Sequence, residues 1–418
     1  VTLTPGAQVI TYWSVDNAGN VETAKQLMIG LALQNVTLDK VSAVGGNNRT
    51  LRVKLTAAAP AGGVRVDLLS DNPAASVPAF VDIAAAADSA NVAVATTPVS
   101  TSTSVVISAT LGDQSKSAQL ELLPPSARLT ATPKSVVGGA NVTLTANLDG
   151  PAPAGGLRVD LVSDTPSVLP VPASITVPEG QVSAAITVAS IPTPERAAVL
   201  VTASTDTQSA VAPVVVDAPA PASVVVNPAQ VNGGTGTAGT VTLNGPAPDG
   251  GYEVTLTASA PSATVPASVT VPAGQTSAAF AVTTRGVAQN TTTTITATAN
   301  NVRKSASLTV RATAISSVQV SPGTVIGSQS AVGRVELTGP APDGGLVVYL
   351  ASSSNPVVVP PTVTVPAGET SADFNVQTTT VVSQTVATLT ATFNGVSKTA
   401  NLTVTGLVLQ GFTVNPSS

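Results

Sequence analysis

Apolar and polar residues alternate in short runs along the chain, and the runs come in sets. From Val224 to Val310 seven runs follow one another: Val224 and Val226, Val241 and Leu243, Val254 and Leu256, Val269 and Val271, Phe280 and Val282, Ile295 and Ala297, Leu308 and Val310. A period of two sends successive side chains to opposite faces of a strand, so each run predicts a strand with one buried face. Gly, Pro, Asn and Asp stand between the runs, as turns require. Seven short strands within about 95 residues predict an immunoglobulin-like Greek-key β-sandwich.

The set recurs. Gly62-Gly63, Gly155-Gly156, Gly250-Gly251 and Gly344-Gly345 lie 93, 95 and 94 residues apart. Pro178-Glu179-Gly180, Pro272-Ala273-Gly274 and Pro366-Ala367-Gly368 keep steps of 94, as do Ile107, Val201, Ile295 and Leu389. A period this long makes each copy a whole domain rather than a solenoid unit. The predicted organisation is repeat 1 at 31–124, repeat 2 at 125–220, repeat 3 at 221–313 and repeat 4 at 314–406. Short joins such as Leu123-Pro124-Pro125 and Asp217-Ala218-Pro219-Ala220-Pro221 are stiffened by proline, which predicts a semi-rigid, elongated rod of tandem sandwiches.

One strand shows what the repeat preserves. Val66/Leu68, Val159/Leu161, Val254/Leu256 and Val348/Leu350 are expected to face inward, while their neighbours Asp67, Asp160, Thr255 and Tyr349 differ freely. Packing alone produces that pattern. At the ends, residues 1–30 predict the closing hairpin of a preceding module, turning at Asp16-Asn17-Ala18-Gly19-Asn20. Residues 407–418 predict the opening strand of a further repeat, since Phe412-Thr413-Val414-Asn415-Pro416 parallels Val224-Val225-Val226-Asn227-Pro228. The chain is expected to be a window onto a longer array.

Composition sharpens this to all-β. Val, Thr, Ala and Ser dominate, and charged residues are only 9%. β-branched side chains suit a pleated surface and offer little to a helix. The net charge of −5 comes without a basic cluster, so no nucleic-acid partner is expected. No apolar run reaches the roughly 18–20 residues of a membrane span. So little charge also predicts weak protection of sheet edges, and with it lateral association or a glycan coat.

The segment Ser268-Val269-Thr270-Val271-Pro272-Ala273-Gly274-Gln275-Thr276-Ser277-Ala278 resembles the mid-domain hairpin of bacterial immunoglobulin-like and Calx-β-like surface modules. Ile10-Thr11-Tyr12-Trp13-Ser14-Val15-Asp16-Asn17-Ala18-Gly19-Asn20 resembles the closing hairpin of another bacterial sandwich module. The resemblance implies an exported protein, with modules of a kind used in adhesins, surface layers, extracellular filaments and secreted glycosidases. Two departures stand out. Ala84-Ala85-Ala86 replaces the Pro-x-Gly turn in repeat 1, which predicts a different local turn. The clustered acidic loops of calcium-binding Calx-β domains are missing, so no calcium ligands carry over.

Candidate chemistry is sparse. The chain has no His and no Cys, which removes a Ser-His-Asp triad, a cysteine nucleophile and the common zinc sites. A carboxylate pair for glycoside hydrolysis is arithmetically open, but Asp67, Asp249, Asp343 and Glu369 fall in turns or on outward positions. Asp249-Gly250-Gly251 and Asp343-Gly344-Gly345 read as tight turns, with Ala61 and Ala154 in the Asp position of the other copies. The loop from Asp16 to Asn20 alternates oxygen-bearing side chains but lacks the distal bidentate acid of a calcium loop. Of Tyr12 and Trp13, neighbours on one strand, one is expected in a core. Asn35, Asn48, Asn141, Asn290 and Asn401 head N-x-Ser/Thr sequons and are the candidate glycosylation sites. The expectation is a non-enzymatic extracellular structural protein without cofactor or metal: a stalk, filament or coat segment. Its partners would be copies of itself, other cell-surface components or glycans. An adhesin spacer and the accessory modules of a secreted enzyme are the alternatives.

Overall fold

Repeat 3 shows how the alternation becomes two sheets. A computed structural model describes residues 8–407 and Gly411. Pro221–Asn227, Thr237–Leu243, Ser277–Thr284 and Ala263–Thr264 form one sheet in that order. Gln230–Asn232, Val302–Arg311, Thr291–Ala299, Tyr252–Ala258 and Ser268–Val271 form the other. Val226, Val241, Val254, Leu256, Phe280, Val282, Ile295, Leu308 and Val310 are buried between them. Thr255, on the opposite face of its strand, is exposed.

Repeats 1 and 4 have the same two sheets, and repeat 2 lacks one short strand. Each repeat has its own buried cluster. The four are centred on Leu51, Ile107 and Leu120, on Leu144, Val159 and Val201, on Val254, Ile295 and Leu308, and on Val335, Val348 and Leu402. Val66, Val159, Val254 and Val348 are all fully buried, while Asp67, Asp160 and Tyr349 are exposed. The described residues form an all-β chain of immunoglobulin-like sandwiches in tandem, with no helix. They fall into two compact units, divided near Asp217 and Ala218.

Seven strands per copy proves too few. Repeats 1, 3 and 4 each have nine, and repeat 2 has eight. The first predicted strand is split. After Asn227 the chain leaves one sheet, and Gln230–Asn232 joins the other, parallel to Thr309–Arg311. Pro228 stands at the switch, with Pro133 and Pro322 at the same place in repeats 2 and 4. The other extra strand, Ala263–Thr264, is two residues long. Neither is long enough for a period of two to register.

Those short strands also change the expectation about edges. One sheet ends on a two-residue strand in repeats 1, 3 and 4. The edge strand at its other side has a shifted register at Leu33/Asn35, Pro221/Ser223 and Ile315/Ser317. Short and bulged edges resist sheet-to-sheet pairing without any charge. Low charge therefore does not by itself leave these edges open.

The turn in repeat 1 differs from expectation as well. Ala84-Ala85-Ala86 makes the same turn as its Pro-x-Gly counterparts: Ala87 N donates to Ala84 O at 3.0 Å, as Gln181 N does to Pro178 O and Gln275 N to Pro272 O. Ala86 takes φ 65°, beside 73°, 72° and 81° at Gly180, Gly274 and Gly368. A second bond, Ala86 N to Ala59 O at 2.9 Å, clamps it there. A left-handed alanine costs about 1–2 kcal/mol, partly offset when glycine is substituted by the freedom glycine gains on unfolding. Ala86→Gly is thus expected to stabilise repeat 1 by up to about 1 kcal/mol, read as slower hydrogen exchange in strand Thr103–Leu111. A destabilised repeat would contradict the strain.

Gln8–Tyr12 and Lys25–Ile29 pair antiparallel as a two-stranded sheet, in register from Gln8 with Ile29 to Tyr12 with Lys25. The strand expected around Leu409, Phe412 and Val414 lies outside the described residues.

Candidate functional site

The hairpin loop gathers the oxygen-bearing side chains of Asp16, Asn17 and Asn20, and the hydrogen bonds of Asp16 turn inward. Asp16 Oδ1 accepts from the Ala18 and Asn20 amides at 2.9 Å each, and Asp16 Oδ2 accepts from Asn20 Nδ2 at 2.9 Å. Gly19 closes the loop at φ 84°, its N–H donating to Asp16 O at 3.0 Å. The Asn20 side chain, then the loop's backbone amides, hold the Asp16 carboxyl below the usual carboxylate range. Every bond described for that carboxylate is spent within the turn. Among the described residues no group of three or more His, Cys, Asp or Glu is gathered as a metal site would need.

Tyr12 and Trp13 are both exposed, at 50% and 56%. Among the described residues the hairpin is a two-stranded sheet of its own, and neither side chain lies in a core there, where one of them is expected to. Ile10, Val15 and Val21 are exposed beside them.

The five sequon asparagines are all exposed and are scattered over the four repeats. Three have structural work for their side-chain oxygen. Asn48 Oδ1 accepts from Thr96 N at 3.1 Å, Asn290 Oδ1 from Ala312 N at 2.9 Å, and Asn401 Oδ1 from Thr388 Oγ1 at 3.1 Å. Asn35 and Asn141 lie on strands Leu33–Leu38 and Asn141–Leu148. The structure brings no two of the five into one site.

The Gly-Gly turns are alike in all four copies. The second glycine donates to the proline three residues before it, as in Gly251 N to Pro248 O and Gly345 N to Pro342 O at 2.9 Å. Both glycines are left-handed, at 89° and 85° for Gly250 and Gly251. Asp343 differs from its counterparts in meeting Arg285 of repeat 3 at 2.7 Å. That contact is absent from local sequence, because its partner belongs to the neighbouring repeat.

Two hollows show where acids lie among the described residues. One of about 650 Å³ on repeat 1 is lined by Val41, Ser102, Ser104, Gln119 and Glu121, with Ser102 Oγ donating to Glu121 at 2.9 Å. Another of about 370 Å³, between repeats 1 and 2, includes Asp149 and Asp206. Asp149 already accepts from Ser126 N at 2.8 Å and Ser126 Oγ at 2.6 Å. Asp67, Asp249, Asp343 and Glu369 are exposed and lie on different turns and strands.

No family model matches the chain, and no curated protein matches it. Among solved structures it is similar to invasin, a bacterial integrin-binding protein, at 16% identity and a TM-score of 0.34, covering 90% of this chain and 79% of that one. It is similar to a tetra-tandem repeat from the extending region of a large adhesion protein at 18% identity and a TM-score of 0.31, covering 90% and 99%. FdeC, an Escherichia coli adhesin, is similar at 16% identity and a TM-score of 0.26, covering 68% and 99%. Likenesses this distant assign the chain neither a family nor an activity.

Proposed function

We propose that the chain is a non-enzymatic, extracellular structural segment of a bacterial cell: consecutive sandwich repeats, within the boundaries given above, serving as a stalk, filament or coat element. The observation that carries this reading is where the copies agree. Fully buried positions such as Val66, Val159, Val254 and Val348 keep one residue type in all four repeats, and so do the paired glycines of the Gly-Gly turns. Exposed neighbours on the same strand run through Asp67, Asp160, Thr255 and Tyr349. A repeated active or ligand site would hold some exposed chemistry fixed between copies, whereas spacing requires only the fold. The sequons, all exposed, are proposed as places where glycans attach.

Electron microscopy of the native material tests the reading. Filaments or a coat on the cell, labelled by an antibody to this chain, support it. Recovery of the protein only from the cell interior would overturn it. A folded binding domain on the same polypeptide, with no assembly, would make the repeats the spacer of an adhesin.

A further inference from the structure

We infer that the repeats within each unit are locked at a fixed angle by a glycine-built joint, a glycine loop of one repeat seated against a Gly-Pro pair of the next. In the first unit, Gly45 and Gly46 of repeat 1 face Gly150 and Pro151 of repeat 2. A Cβ on Gly46 would overlap the Pro151 ring, and one on Gly150 would come within 2.5 Å of Val44 Cγ1. In the second unit, Gly233 and Gly234 of repeat 3 face Gly339 and Pro340 of repeat 4. A Cβ on Gly234 would overlap the Pro340 ring, and one on Gly339 would overlap the Gly233 carbonyl oxygen. Gly46 with Pro151 and Gly234 with Pro340 thus make the same contact at corresponding positions.

Two comparisons indicate that the joint, and not the turn, requires these residues. Gly150 and Gly339 are absent from the left-handed residues, so their backbone would accept any side chain. What excludes a side chain is the neighbouring repeat. Repeat 1 then supplies the counter-example, because its matching turn carries Ala57-Ala58. That turn keeps its bonds: Ala59 N donates to Ala87 O at 2.7 Å, as Ala152 N does to Gln181 O at 2.9 Å and Ala341 N to Glu369 O at 2.8 Å. Gly-Pro is therefore dispensable for the turn, and at Gly150-Pro151 and Gly339-Pro340 it meets the preceding repeat of the same unit.

Polar contacts flank the steric fit. Asn47 Nδ2 donates to Asp149 O at 3.3 Å in the first unit. In the second, Arg285 Nη1 meets Asp343 Oδ2 at 2.7 Å, Thr313 Oγ1 donates to Pro340 O at 2.9 Å, and Asn394 Nδ2 donates to Ala288 O at 3.3 Å. Close backbone approach leaves little room to slide, and these bonds set the rotation. Inter-domain motion is the default for domains on one chain; here the interface opposes it. The inference stands apart from where the chain works in the cell.

The chain has no Cys, so two introduced cysteines are the sole points for spin labels. Ser305→Cys in repeat 3 and Asn375→Cys in repeat 4, both at exposed positions, report the second joint in the full-length chain. Pulsed electron resonance is expected to give one narrow distance distribution. Gly339→Val should displace its mean and widen it about twofold, toward the freedom of unlocked domains. Gly339→Ala should act in the same direction. Gly323→Val, in the same repeat but facing open space, should leave it unchanged. If valine unfolds repeat 4, seen by hydrogen exchange, the alanine variant decides, since repeat 1 folds with Ala57 at that position. A parent distribution as broad as the variant's, or a Gly339 variant that superposes on the parent, overturns the lock.

Discussion

Gly239→Val and Phe280→Val are each expected to destabilise repeat 3, and the two together to recover most of what either loses. Gly239 lies opposite Phe280 across the strand pair, and the ring fills the space a Gly239 side chain would take. Gly333 and Phe374 repeat the arrangement in repeat 4. Repeats 1 and 2 fill the same cross-strand site with Leu51 opposite Val92, both buried, and with a buried Leu144 opposite a half-buried Ile186. The molecule thus already holds three solutions for one site, two of them aliphatic pairs. Valine at 239 alone overpacks the core and should cost about 1–3 kcal/mol or more. Valine at 280 alone leaves part of the ring's volume empty and should cost about 2–4 kcal/mol. The double variant puts an aliphatic pair where repeat 1 has Leu51 and Val92, so the coupling should be favourable by about 1–3 kcal/mol. A chain of several domains does not unfold in two states. Hydrogen exchange of strand Thr291–Ala299 in the full chain isolates repeat 3. Strictly additive losses would show that the ring and the missing side chain do not share a site.

Leu256→Ala is expected to cost repeat 3 about 2–5 kcal/mol, by lost burial and the cavity left behind. Leu256 is 3% exposed and sits opposite Ala297 in the central strand pair. Thr255, one residue away, faces water, so Thr255→Ala should cost under about 1 kcal/mol. The same exchange measurement separates them. Equal losses would mean that the strand is inside out.

These two residues also illustrate how far the amino-acid sequence alone is legible. The inward and outward faces of long strands follow from the period of two, and the hairpin from the Asp-Asn-Ala-Gly-Asn turn between two runs. Gln230–Asn232 and Ala263–Thr264 escape because two or three residues hold no period. The left-handed Ala86 escapes because its conformation is imposed by Ala59, far back in the chain. The exposure of Tyr12 and Trp13 escapes because alternation says which residues share a face and not whether anything covers it. Gly150 and Gly339 are visible as letters in the repeat, yet their reason lies in the neighbouring repeat, which no local pattern contains.

The split first strand also decides how the chain would carry tension. In each repeat its second half runs parallel to the last strand: Ser42–Val44 beside Glu121–Leu123, and Thr324–Ile326 beside Thr403–Thr405. A pull enters through the first strand and leaves through the last, so the paired strands are drawn past each other. Their hydrogen bonds are then strained together, in shear. The hairpin at Gln8–Tyr12 and Lys25–Ile29 is built the opposite way. Its outer residues Gln8 and Ile29 are paired, so the same pull opens it one bond at a time, like a zip. Stretching single molecules of the full chain should therefore show the hairpin yielding first, at forces that leave all four sandwiches closed.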